Sequence, residues 1–388
     1  MRILFCGLSG IPNQASASIN RYLAIGQTLS KNNEIIFINR FPLFKKQDVQ
    51  SYENYPFKII DATNTKFRPS SFLKRNFLKL ASFLYEFATI RRLSKEKKVD
   101  WLNIYTQYFG IFMLYYFFSK IFRYKTVLHY VEFRSKFIKR PFLLRINDLL
   151  FDKVAVLLCD VIIPISKTLD DYVRSINPRA KTLIIPPICD FNYFASVNFE
   201  LSDKKYFIFC SSIVYEEVIL FVIQSYLKLK NNRHVDLHLV INGKIENQAI
   251  NSFILEKNNR IFLFSNLSYD NLIAKYKGSL AALVPIRNTV QDCARFPQKI
   301  CEFLASGRPI ITTPYGEIKN YFTSEKDAVI ATEFDTESYS EQLEWVLTHS
   351  EELEEISRNS YIIGMQHFNI ESYSLKLNNI LLNNYLEN

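Results

Sequence analysis

Glycine is scarce in this sequence, nine in 388 residues, and tryptophan and methionine are scarcer, at two and three. The opening apolar strand, Arg2 to Leu8, runs into the turn Leu8-Ser9-Gly10-Ile11-Pro12 and then a helix over 16–29. That is how a Rossmann-type domain starts, but it is not a G-x-G-x-x-G fingerprint, which argues against a bound dinucleotide cofactor. The six cysteines, at 6, 159, 189, 210, 293 and 301, form no C-x-x-C pair and mostly sit in apolar runs. Free buried thiols in a reducing compartment are the expectation, with Cys301 as a packing residue. Zinc-finger spacing and RNP-like patterns are missing, so nucleic acid is not expected as a partner. A secretory leader is not expected either, since Met1 to Leu8 is too short for its apolar core. The segment Leu102 to Phe122 is about as long as a membrane span. Asn103, Gln107 and Lys120 interrupt it, and it reads as a strand running into a buried or interfacial helix.

What is abundant is aromatic: 33 Phe and 23 Tyr in a chain that is 48% hydrophobic, ample material for two cores built from large side chains. Charge is unevenly placed. Residues 1–190 carry 30 basic against 14 acidic side chains, a net of +16; residues 191–388 carry 18 against 24, a net of −6. A basic first half is expected to meet something anionic. Between Lys66 and Lys98, nine cations from Arg68 to Lys98 are interleaved with Phe72, Leu73, Phe77, Leu80, Leu84 and Phe87 at helical spacing. A basic amphipathic helix of that kind suits an anionic membrane surface, and a core-facing helix with a solvated back is the competing account. The expected location is cytoplasmic and peripheral, at the inner face of the cell membrane.

Along the chain, strand-like runs at 34–39, 57–61, 101–105, 126–131, 160–165, 206–211, 236–241, 260–264, 279–285 and 309–313 alternate with helical stretches. Lys136 to Leu158 is one of those helices. The alternation predicts an α/β chain with parallel sheets. The most informative stretch is RFPQKICEFLASGRPIITTPYG, residues 295–316. Pro297 stands where a first helical residue would, Gln298 to Ser306 reads as a short helix, Gly307 ends it, and Gly316 opens the next. Arg295, Lys299 and Glu302 fall at i, i+4 and i+7, along one side of the helix and its approach. Two cations there favour an anion, and the carboxylate could accept from a ribose diol. The alternative is solvated cations with Glu302 paired to one of them.

This stretch resembles the donor-binding segment of GT-B glycosyltransferases of the retaining family 4 type, on Pro297, Lys299, Glu302, Leu304, Ala305, Gly307, Pro309, Ile310, Ile311 and Gly316. DVIIPISKTLDDYV from Asp160 and LIIPPICD from Leu183 resemble segments near the end of the first domain of that family. The resemblance implies GT-B architecture: two Rossmann-like parallel-sheet domains facing a central cleft. Residues 1–190 would form the acceptor side, 191–204 a linker and 205–365 the nucleotide-sugar-binding domain. Residues 366–388 would be a helix packing back toward the first domain. It also implies a sugar nucleotide, UDP- or GDP-linked, as co-substrate with no other cofactor, and no metal, in keeping with the missing D-x-D motif. Lys299 and Arg295 would stabilise the leaving diphosphate, with His129, at a strand end, as a further candidate for catalysis. Glu302, Ser211, Ser212, Gly243, Pro297 and Gly316 would line the donor. Gly10, Ile11, Glu132 and Arg134 would face the acceptor, a saccharide expected from the charge pattern to be lipid-linked, in cell-surface polysaccharide assembly.

Three departures stand against the pattern. Ala294 replaces an acid eight residues before Glu302, and Pro187-Ile188 replaces an Asn-Gly pair. The phosphate-binding cations after the first strand of the second domain are replaced by Ser211 to Glu217, which contains none. Either Arg295 and Lys299 take over the diphosphate, or donor binding is lost and the protein is a silent partner of an active transferase. An epimerase on the same fold, using His129 and Glu132, and a secreted binding protein are more distant alternatives.

Overall fold

The structure, a computed structural model, describes residues 1–11, 16–43, 55–65, 67–137, 140–200, 204–230 and 234–386. Pro12, Lys66, residues 201–203 of the expected linker and the last two residues lie outside the described residues. The chain divides into two compact units, Met1–Pro186 with Tyr373–Asn388, and Pro187–Ser372.

The first unit is built on β1 (Arg2–Cys6), β2 (Glu34–Asn39), β3 (Lys58–Asp61), β4 (Trp101–Ile104), β5 (Lys125–Tyr130) and β6 (Val161–Pro164). They form one sheet in the order β3-β2-β1-β4-β5-β6, parallel at every pairing. The second unit repeats the plan with β7 (Tyr206–Ser212), β8 (Asp236–Asn242), β9 (Ile261–Phe264), β10 (Ala281–Val284), β11 (Ile310–Thr312) and β12 (Val329–Ile330), ordered β12-β11-β10-β7-β8-β9. Both are the doubly wound order in which the chain reverses beside the first strand. The central strands are apolar on both faces because helices cover both: Ile3, Leu4, Phe5 and Cys6 are all fully buried, as are Phe207 and Ile208.

Local sequence accounts for most boundaries. Ser166 caps the helix Lys167–Ile176, its Oγ accepting from Leu169 N at 3.2 Å. Residues 191–204, expected as a linker, open instead with the helix Phe191–Ser196. Asp190 caps it, and Phe191 and Phe194 are buried in the second unit. The terminal helix Ser374–Leu386 belongs to the first unit. Leu377 and Leu381 are buried, and Asn378 accepts from Asn33 at 2.6 Å.

The single helix expected over 136–158 is broken. A turn at Arg134–Lys136 precedes Pro141, whose extended backbone ends any helix before it. The helix Phe142–Leu150 then widens into a π turn, Phe151–Ala155. Leu102–Phe122 is a strand followed by the helix Phe109–Phe122, which buries Phe112, Tyr115 and Ser119 and exposes Leu114, Phe117 and Ile121. Among the described residues, no helix is long and apolar enough to cross a membrane.

Candidate functional site

In the second sheet the winding reverses between β7 and β10, and ligands of such sheets bind at the carboxyl ends of the strands at this point. β7 ends in Ser211 and Ser212, both half-buried. Ser211 Oγ donates to the Ser212 carbonyl at 3.2 Å, and Ser212 Oγ lies 3.5 Å from Val214 N in the turn Ile213–Tyr215. β10 leads into a loop carrying Arg287 and the short helix Val290–Ala294, capped by Thr289. Asp292, 1% exposed, holds two cations there. Arg287 donates to it at 2.6 and 3.3 Å, and Arg295 approaches at 3.0 Å.

Both guanidiniums reach back to the segment after β7. Arg287 also bonds the exposed Glu217 at 2.7 Å, and Arg295 lies over the Tyr215 ring, 4.3 Å from its centroid. Arg295 Nε is buried without a hydrogen-bond partner. The stretch Ser211 to Glu217, which contains no cation, is therefore met by two from the β10 side.

Pro297 does not occupy the first helical position. The helix is Lys299–Ala305, with Gln298 before it already helical in φ and ψ. From Ile300 to Ala305 every residue is buried. Glu302, with no exposed surface, bonds Lys299 Nζ at 2.7 Å, and the Tyr269 hydroxyl lies 3.4 Å from its other oxygen. A carboxylate buried to that extent needs such partners. Burial disfavours the Lys299 charge, but the neighbouring Cys210 and Glu302 side chains outweigh it and raise the pKa above that of an ordinary lysine. Lys299 and Glu302 thus meet, as the pairing alternative expects, while Arg295 turns to Asp292 and Tyr215. Gly307 follows at φ +70°. Pro297 is half-buried, and its carbonyl accepts from Ile300 N at 3.2 Å. Gly316 backs onto Cys293, with 3.1 Å between its would-be Cβ and the Cys293 Cα. Gly243 sits at φ +119° at the end of β8. A Cβ there would lie 2.4 Å from Ile213, so only glycine lets the β7 and β8 loops pack together.

The remaining candidates are in the first unit. Gly10 and Ile11 are buried, and Asn39 Oδ1 already accepts from both amides, at 2.9 and 3.3 Å. His129, Glu132 and Arg134 do come together around one small cavity that also touches Gln107 and Phe151. Arg134 is 8% exposed and committed to Asp148, Gln107 and Glu132 at 3.2, 2.6 and 3.4 Å, which makes it a brace for this loop. His129 is 4% exposed, and its ring nitrogens have no hydrogen-bond partner. Burial, with the Arg21 cation second, holds its pKa well below the usual histidine range, so the ring is neutral. Sequence reasoning missed Arg287, Asp292 as its anchor, and Tyr269. Arg287 follows the apolar strand β10, a position that the carboxyl-end rule could have flagged.

Residues 194–362 match the family model described as glycosyl transferases group 1. No functionally curated sequence matches the chain. Among solved structures, sucrose-phosphate synthase from Thermosynechococcus elongatus is similar at a TM-score of 0.74 and 12% identity, covering 100% of both chains. HepE of Anabaena in complex with UDP-glucose aligns at 0.67 and 14%, over 99% of this chain and 100% of that one. WaaG, a glycosyltransferase involved in lipopolysaccharide biosynthesis, aligns at 0.63 and 13%, over 98% and 99%. These likenesses establish the fold: two six-stranded parallel, Rossmann-like units of the α/β GT-B architecture.

Proposed function

We propose that this protein is a glycosyltransferase that takes a sugar from a nucleotide diphosphate, UDP or GDP, to a saccharide acceptor, with the donor held by the second unit. The observation that carries this reading is the cluster at the β7–β10 reversal, Arg287 and Arg295 on Asp292 beside the Lys299–Glu302 pair. It lies within the stretch that matches the group 1 family. In glycosyl transfer the diphosphate gains charge as the anomeric bond breaks, and preorganised guanidiniums stabilise that charge without reorganising. Arg295 and Arg287 take that role, Lys299 supports it, and Glu302 accepts from the ribose hydroxyls. These side chains supply the leaving-group stabilisation without a bound metal. His129, neutral and unpartnered, is the first-unit group assigned to the sugar or acceptor. Retention at the anomeric carbon and a place in cell-surface polysaccharide assembly extend the reading by resemblance. The basic, aromatic first unit supports a lipid-linked acceptor and peripheral attachment to an anionic membrane.

A specific observation favours one competitor. Glu217 neutralises Arg287, so a protein that keeps this pair closed would be a silent partner of another transferase. Calorimetric titration of UDP, GDP and ADP decides between them. The transferase reading expects one nucleotide to bind and Glu302→Gln to weaken it by about tenfold, the worth of one charge-assisted hydrogen bond. Glu302→Ala should do at least as much. If the folded wild type binds none of the three, the silent-partner reading replaces it.

A further inference from the structure

The first unit contains a cavity of about 650 Å³ that none of the preceding argument uses. Four cations line it, Arg40, Arg68, Arg75 and Lys79, together with Ser9 and Tyr108, and among the described residues no acidic side chain lines it. None of the four cations forms an ion pair among the described residues. The Arg40 guanidinium lies on the Phe83 ring at 4.3 Å, and its Nη1 is buried with no hydrogen-bond partner among the described residues, a donor without a protein acceptor there. The neighbouring acid, Glu86, is sealed in the core. It accepts from Gly7 N at 3.0 Å and from the Tyr115 hydroxyl at 2.7 Å, and burial raises its pKa although Arg40 opposes this.

The helix Phe72–Glu96 explains why the cations are gathered there. Its second half buries Ser82, Glu86, Ile90 and Leu93 on one face. At about 100° per residue the same face continues into the first half as Arg75, Asn76 and Lys79. The cations therefore point where a core would continue, into the cavity. On the far side of the helix, Leu73, Phe77, Leu80 and Leu84 repeat at i, i+4, i+7 and i+11 and are 68–79% exposed. Half-buried Arg75 and exposed Lys79 on the cavity side of one helix, and an apolar stripe on its other side, match an amphiphile with a multiply charged anionic head. The cavity is in the size range of small-molecule sites.

We propose that this cavity binds the diphosphate headgroup of a lipid-linked acceptor. The word acceptor rests on the glycosyltransferase reading; the binding of a lipid diphosphate does not. The test is titration of geranyl diphosphate, inorganic pyrophosphate and UDP against the wild type, the double variant Arg75→Gln/Lys79→Gln, the single variant Arg40→Gln and Glu302→Gln. Geranyl diphosphate should bind the wild type more tightly than pyrophosphate does. The double variant, altered on the accessible part of the helix and unchanged in thermal midpoint, should lose at least tenfold in that affinity while keeping its UDP affinity. Arg40→Gln should fall the same way, and Glu302→Gln should show the reverse pattern. Unchanged geranyl diphosphate binding in the double variant overturns the proposal. So does equal binding of pyrophosphate, or an equal loss of UDP, which would make the cavity a free-phosphate or nucleotide site. A wild type that binds geranyl diphosphate but no nucleotide sinks the donor reading and leaves this one standing.

Discussion

Glu217 is 82% exposed at the side chain and yet bonds Arg287, so a diphosphate arriving at that guanidinium competes with it. Exposed ion pairs are worth about 0–1 kcal/mol. Glu217→Gln should therefore raise nucleotide affinity by a few-fold at most, and calorimetry at low salt would read it. A drop would place the anion elsewhere. The buried pair behaves differently: Lys299→Met strands Glu302 without its cation, a loss of about 3–5 kcal/mol by the usual cost of breaking such a pair, measurable as a shift in urea midpoint. His238 reports on pH. It lies in β8 between Tyr206, Phe262 and Phe264, and burial, with Lys275 second, lowers its pKa to about 4. The unfolded chain, with a histidine pKa of about 6.5, holds the extra proton between those values. Stability should thus be full above that window and fall as pH drops from about 6.5 to about 4. His238→Phe should flatten the fall, and a urea series across that range that is identical in the two proteins would refute the assignment.

Among the elements, the helix Lys167–Ile176 rests on a cap that its sequence announces. Ser166→Ala should cost about 1 kcal/mol, read from the thermal midpoint. The helix Phe72–Glu96 is a clearer case of divided control. Its aromatic and basic periodicity was legible, but the competing accounts, membrane surface or core-facing helix, were not separable from the pattern. The structure leaves Leu73, Phe77, Leu80 and Leu84 exposed. If that stripe meets the membrane, Phe77→Asp/Leu84→Asp should release the protein from vesicles containing phosphatidylglycerol in a flotation assay, with nucleotide binding intact. Retention on the vesicles would assign attachment to another surface.

At the scale of the whole molecule, the chain leaves the first unit at Pro186, builds the second, and returns at Tyr373. The last helix therefore completes the unit that the N-terminus began. Deleting residues 374–388 uncovers the surface that Leu377 and Leu381 bury against the first unit. Hydrogen exchange should speed up in the helix Ala17–Ser30, while β7 to β10 keep their protection. Faster exchange confined to the second unit would contradict the assignment.

The sequence by itself determined the alternation, because apolar runs and capping residues act over a few positions. From those runs follow eleven of the twelve strands among the described residues, the two-residue β12 aside, with the cap at Ser166 and the short helix around Glu302. It also determined that Glu302 would stand near a cation, since i and i+3 share a helix face. Only the tertiary structure decided which cation meets which strand. Arg287 lies seventy residues from Glu217, and their meeting depends on β10 lying beside β7, a pairing that no local pattern encodes. Gly7 carries the same lesson. It reads as one more strand-end residue, yet at φ +94° a Cβ would fall 2.2 Å from the Tyr105 carbonyl oxygen, a constraint created only when β4 pairs with β1. The cationic cavity likewise arises because a buried helix face runs on past the core it covers. Long-range pairing sets such positions, and a single sequence carries the residues without the distances between them.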